Sequence, residues 1–339
     1  MRKWLTLGFT IIFFLSNAQK ITLETLLEDK ISIRALEIEG SKVWYVGTDS
    51  KFGFVDYINP KDFKQIKLSE KSLQFRTLSQ NKNSLFTINI ESPAHIFEID
   101  KRTLDSKIVY TDTVKTAFYD ALHFRNNQFY TFSDPQINLE LRFLKFSTKK
   151  KAFHFKYFND VKMNEGEAAF AASNTNIAST KNNLWIATGG RVSRIIKMNL
   201  KTEKFEVYNT PFVQGESSQG IYSIDFLNDS YGIAVGGDYT QQEANVNNIA
   251  TTADGGKTWM VQASGINSGY STWVKFRPNT NGKEVIALGD QHISYSNDFG
   301  KTWKKISDEK GFYTAQWISD HQLVLAGKNK IVKATLKWD

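Results

Sequence analysis

The chain contains no cysteine. That absence excludes disulfides, a lipid-modified N-terminal cysteine and thiolate metal sites together. Proline is scarce, with five residues in 339, and long amphipathic helical stretches are missing. No later segment is apolar for the roughly 20 positions that a membrane-spanning helix needs. The five histidines, His95, His123, His154, His292 and His321, are scattered without the spacing of metal ligands. No Gly-x-Gly-x-x-Gly occurs, so no cofactor is expected, and no metal either.

The N-terminus has its own logic. Arg2 and Lys3 precede an apolar run over 4–15, and Ser16-Asn17-Ala18 follows. This pattern predicts a secretory signal peptide over 1–18, cleaved before Gln19. The rest would be exported, to the periplasm or the medium. The formal charge is +8; the leader carries two of the positive charges, leaving +6. That excess is modest and does not point to nucleic acid. The basic and aromatic stretch 143–158, with Lys149-Lys150-Lys151 at its centre, fits an outer hairpin whose lysines discourage edge-to-edge pairing.

Short strands are everywhere. Val43-Trp44-Tyr45-Val46, Ser84-Leu85-Phe86-Thr87-Ile88, Gln128-Phe129-Tyr130-Thr131-Phe132 and Leu184-Trp185-Ile186-Ala187 are β-branched or aromatic and end at polar or glycine residues. They also repeat. Thr252-Ala253-Asp254-Gly255-Gly256-Lys257-Thr258-Trp259 matches Ser296-Asn297-Asp298-Phe299-Gly300-Lys301-Thr302-Trp303, with the aspartates 44 positions apart. One propeller blade takes roughly 40–50 residues. In this motif, the Asp-box, Asp254 and Asp298 accept N–H bonds inside a tight turn. Gly256 and Gly300 supply the backbone freedom the turn needs. Thr258-Trp259 and Thr302-Trp303 start the next strand, where the indole can be buried. Turn chemistry explains every residue, so the motif is expected to be structural and to face away from any binding surface.

A weaker repeat runs through the chain. Units start at Ile33-Arg34, Phe75-Arg76, Tyr119-Asp120, Phe170-Ala171, Tyr222-Ser223, Ser271-Thr272 and Phe312-Tyr313. The spacing suits blades of four strands. After Phe312 there is room for only three, and Ile21-Thr22-Leu23-Glu24-Thr25-Leu26 could supply the fourth and remove two free edges. The expectation is one all-β domain over 19–339, a seven-bladed β-propeller whose last blade is closed by an N-terminal strand.

These residues resemble a known family, the propellers related to the photosystem II stability/assembly factor, within the wider WD-repeat, YVTN and BNR-like group. The markers are Arg34-Ala35-Leu36, Ser92-Pro93-Ala94-His95-Ile96-Phe97, Ser133-Asp134-Pro135, Gly166-Glu167-Ala168-Ala169-Phe170, Ala187-Thr188-Gly189-Gly190, Gly220-Ile221-Tyr222-Ser223-Ile224 and Gly232-Ile233-Ala234-Val235-Gly236-Gly237-Asp238-Tyr239. The resemblance implies a seven-bladed propeller. For photosynthetic members it implies an assembly role for a membrane complex. Bacterial relatives often carry an oxidoreductase label, which no motif here supports.

In a propeller the inner strands line the channel, and the loops around them form the binding face. Arg34 and Arg76 occupy the same place in successive units, and Asp120 takes that place in the third. Asp134, Glu165, Glu167, Arg191, Asp238 and Tyr239 stand at strand ends or beside inner strands. They form a candidate ring of mixed charge. Either these groups pair with one another and rigidify the ring, or they bind a ligand.

The functional expectation is a monomeric, non-catalytic exported propeller. It would bind a protein partner, as an assembly or stability factor for an envelope complex. The alternative is a glycan-directed, sialidase-like hydrolase or lectin using the channel mouth. Arg34, Arg76, Arg191 and Tyr239 could mimic a sialidase cluster, although the Arg-Ile-Pro signature is missing. Gly215-Glu216-Ser217-Ser218-Gln219-Gly220 is one residue too long for a nucleophile elbow and reads as an entry loop.

Overall fold

The computed structural model describes residues 20–149 and 152–337. The expected leader over 1–18 lies outside the described residues, as do Lys150 and Lys151. Among the described residues every regular element is a β-strand. Among these residues no helix is long and apolar enough to cross a membrane.

Inner strands are buried on both faces. In the strand Lys42–Gly47, each of Val43, Trp44, Tyr45 and Val46 is at most 1% exposed. Val43 and Tyr45 join a core shared with Val324 and Ala326 near the C-terminus. Trp44 and Val46 face the other way, into a core shared with Leu85 and Phe97 of the next unit. The two-residue period of a strand therefore divides two cores here, rather than core from solvent. The strand Asn183–Ala187 repeats the arrangement. Leu184 and Ile186 serve one core, and Trp185 and Ala187 the other. Each unit thus packs against its neighbours on both sides, which is why these segments read as unbroken apolar runs. Outer strands such as Ala152–Phe158 instead alternate exposed and half-buried positions.

Sequential strands pair antiparallel, with Trp44 opposite Phe54 in the first unit. The spacing of the repeat predicts seven blades, and this is corrected: the described strands form six hydrogen-bonded sheets. The cause is the strand Lys20–Glu39, which serves two units at once. Its first part pairs with the C-terminal segment, Thr25 lying opposite Val332. From Ile33 onward it pairs with Lys42–Gly47. The first and last units of the repeat are thereby fused into one sheet.

The N-terminal strand does pair where the sequence places it. Ile21 and Leu23 pack on the core that holds Trp273, Leu325 and Leu336. The element Gln322–Lys337 turns back on itself at Asn329, whose φ is 63°, and the Leu336 N–H donates to the His321 carbonyl at 2.9 Å. A neighbouring glycine is obligatory: a Cβ on Gly327 would lie 1.9 Å from the Gly311 carbonyl oxygen.

Candidate binding site

The starts of the repeated units converge on one cavity of about 380 Å³. Arg34, Arg76, Phe118, Phe170, Tyr222, Thr272 and Tyr313 all line it. Each lies in, or directly before, one of the seven unit starts. A cavity drawn from every unit lies on the axis of the ring.

One wall is cationic. The Arg34 guanidinium lies over the Tyr313 ring, 4.2 Å from its centroid, and donates to the Ala172 carbonyl at 3.2 Å. Arg76 makes a long 3.4 Å bond to Gln74 Oε1. Among the described residues neither arginine forms an ion pair. Burial and the like charge of Arg34 pull the Arg76 guanidinium down to about 10, so it stays charged at neutral pH. A planar guanidinium presents a fork of donors that matches a carboxylate.

The rest of the wall is largely aromatic. Phe170 stacks on Tyr222 with centroids 3.8 Å apart, and Tyr270 meets Tyr222 edge-on at 4.8 Å. The Tyr222 hydroxyl donates to the Ser218 carbonyl at 2.7 Å. Burial drives the Tyr222 and Tyr270 phenols well above their ordinary range, so both remain neutral. Asp290 is the carboxylate of the lining, and its Oδ2 accepts from Gln291 at 3.0 Å.

Asp120 and Asp134 do not line the cavity. Asp120 is fully buried, and neither carboxylate oxygen meets a donor. Ser133 pairs opposite Tyr119 and Phe132 opposite Ala121, so Asp120 is bulged out of the register near the strand end, and its carboxyl lies close enough to Asp134 for the two to act on each other electrostatically. Oδ1 of Asp134 is also buried without a partner. Burial, and then the neighbouring Asp134, hold the Asp120 carboxyl well above its usual range, against the pull of Arg76. Burial pushes the Asp134 carboxyl up to about 6.

The remaining candidates lie elsewhere. Glu167 is 1% exposed and saturated. It accepts from Arg194 Nη2 at 2.7 Å, Thr188 Oγ1 at 2.7 Å and the Asn164 N–H at 2.8 Å. Glu165 is exposed. Arg191 is exposed too, and its side chain covers Gly166. Asp238 is 4% exposed and accepts from the Thr240 hydroxyl at 2.6 Å and its N–H at 2.9 Å. Burial raises the Asp238 carboxyl, but these bonds outweigh burial and hold it below the usual range. Tyr239 is half exposed and lines the cavity. Of the sequence candidates, Arg34, Arg76 and Tyr239 come together in the lining.

Sequence reasoning missed Phe170, Tyr222, Tyr270, Tyr313, Gln242 and Asp290 as lining residues. A signal was present for Tyr222 and Tyr313, which stand at unit starts like Arg34 and Arg76. The partners Arg142 and Arg194 were also missed. Arg142 Nε donates to Asp112 Oδ2 at 2.5 Å.

The two matching hairpins have the same internal bonding. Thr258 donates to Asp254 from its N–H at 2.9 Å and its hydroxyl at 2.6 Å. Thr302 does the same to Asp298 at the same distances. The Gly256 and Gly300 N–H groups reach the Thr252 and Ser296 hydroxyls. Trp259 and Trp303 each donate back to the carbonyl of the motif glycine, at 3.0 and 2.9 Å. None of these residues lines the axial cavity.

No family model matches the chain, and no curated protein is significantly similar to it. Solved structures are similar in shape. YCF48 bound to a D1 peptide superposes with a TM-score of 0.66 at 13% identity, covering 96% of each chain. A streptogramin B lyase gives 0.65 at 15% identity, covering 94% of this chain and 98% of that one. The WD40 repeats of RRP9 give 0.65 at 12% identity, covering 93% and 97%. These likenesses establish the β-propeller fold. Function varies freely on that fold.

Proposed function

We propose that this chain is a non-catalytic β-propeller that binds a protein partner through a carboxylate-bearing peptide segment at the axial cavity. The observation that carries the reading is the pair of guanidiniums, Arg34 and Arg76, which line that cavity without an ion-pair partner among the described residues. Charge held in a cavity is costly unless something neutralises it. Tyr222, Tyr270, Tyr313 and Phe170 make the rest of the lining an aromatic, largely apolar wall beside the guanidiniums, suited to the adjoining peptide. The similar shape of YCF48, which is solved with a bound peptide, supports a peptide as ligand. Export through the leader over 1–18 and service as an assembly factor in the envelope belong to the same proposal.

The test is a panel of short peptides, each as free acid and as amide, titrated against the purified protein and an Arg34→Ala, Arg76→Ala variant. The wild type should select acids over amides, and the double variant should lose them with its circular dichroism unchanged. Equal binding by both proteins, or no preference for acids, would overturn the reading.

A further inference from the structure

Buried carboxylates in this protein usually have donors. Asp112 and Glu167 are saturated by arginines. Asp120 breaks the pattern, with both oxygens buried and unpartnered, and Asp134 shares the defect at Oδ1. An ionised carboxylate without donors inside a protein is costly enough that it takes up a proton instead. Two such groups side by side cannot both ionise cheaply.

The surroundings restrict what else could compensate. Arg76 is the charged group facing the pair, and Arg34 and Glu91 face Arg76 in turn. The Ala169 N–H meets Asp134. Glu91 is already engaged by the Gln74 N–H at 2.9 Å and Asn89 Nδ2 at 3.3 Å. Among the described residues Arg76 is therefore the cation that acts on the pair and also lines the cavity.

We propose that Asp120 and Asp134 form a proton-holding pair that couples carboxylate binding in the axial cavity to the uptake of a proton. The proposal rests on the reading that Arg34 and Arg76 receive a carboxylate. When the pair loses its second proton, its negative charge competes for Arg76 and repels an incoming anion. When the pair is protonated, the guanidinium is free for the ligand. The balance is simple: protein with one proton on the pair, a ligand carboxylate and one proton give a complex with two protons on the pair. The elevated carboxyl of Asp134, at about 6, places this exchange near neutral pH. Affinity strengthens as pH falls, by at most about tenfold per pH unit for one linked proton.

The experiment uses N-acetylphenylalanine as probe and its primary amide as control. Calorimetry at about pH 6.5, in two buffers of different ionisation enthalpy, reads the protons taken up per probe bound. The acid should bind with net uptake and the amide should not bind. The Asp134→Asn variant should lose both the uptake and the pH slope. Acid binding with no uptake and a flat pH profile would overturn the proposal. Carboxyl carbon NMR on the unliganded wild type gives an independent reading, because it needs no variant to fold. One member of the pair should titrate above about pH 5.5. Ordinary titration of both, below about pH 4.5, would overturn the pair whatever the probe does. Should the carboxyls titrate high while the probe fails to bind at any pH, the carboxylate reading of the cavity falls, and the coupling falls with it.

Discussion

Asp112 and Glu167 are buried carboxylates with full sets of donors, whereas Asp120 is buried with no donor and the half-buried Asp134 keeps its Oδ1 enclosed without one. Asp112 receives Arg142 Nε at 2.5 Å, the Tyr119 hydroxyl at 2.8 Å and the Val114 N–H at 3.0 Å. Glu167 receives Arg194, Thr188 and Asn164. Both sites tie strands together, and neither lines the axial cavity. At and near the cavity the same residue types stay uncommitted: among the described residues Arg34 and Arg76 have no ion pair, and Asp120 has no donor. Saturated pairs hold a shape, while an unsaturated set keeps charge available at a cost in stability.

The largest expected effect breaks a saturated site. Arg142→Ala leaves Asp112, whose side chain is 1% exposed, without its cation. Urea denaturation should show a loss of about 3–5 kcal/mol. A loss under 1 kcal/mol would erase the contrast between the two regions.

Asp134→Asn should act in the opposite direction. The carboxyl of Asp134 is raised from 3.8 to about 6, so the folded state holds its proton more tightly than the unfolded chain. Stability is therefore lost as pH rises through that interval. The variant escapes this loss. The two proteins should be equally stable near pH 4 and diverge above pH 7 by on the order of 2–3 kcal/mol in favour of the variant. A gap that does not change with pH would mean the pair does not titrate as described.

Smaller effects belong to the rim. Asp298→Ala removes the bonds from Lys301, Thr302 and Ser296. Because the turn is open to water, the expected cost is about 1–2 kcal/mol by thermal melting. Asp254→Ala should cost about the same, since its network is equivalent. Unequal losses would separate two hairpins that geometry makes alike.

The smallest stability effect is expected for Arg34→Ala with Arg76→Ala, within about 1 kcal/mol of wild type. A larger loss would show that these arginines hold the ring together.

Much of this was readable in advance. The two matching hairpin turns are local: donor and acceptor lie within four residues, as with Thr302 and Asp298. The positions of Arg34, Arg76 and Tyr313 follow from the repeat, because equivalent places in a ring face the same axis. Glu167 is a channel candidate because it stands just before an inner strand, yet it is consumed by Arg194 from 27 positions away. Local pattern does not reveal which cation reaches which acid.

From the sequence alone came the all-β class, the repeated unit, the two matching hairpins and the strand at 21–26 that meets the C-terminal segment. Alternation, turn chemistry and spacing are short-range properties of the chain, so they survive being read one residue at a time. Only the tertiary structure decided that Lys20–Glu39 fuses two units into one sheet, leaving six where seven were expected. It also decided which charges are paired and which are left open. Those outcomes depend on the approach of groups distant in sequence, with partners and water traded against burial, and no local pattern encodes that balance.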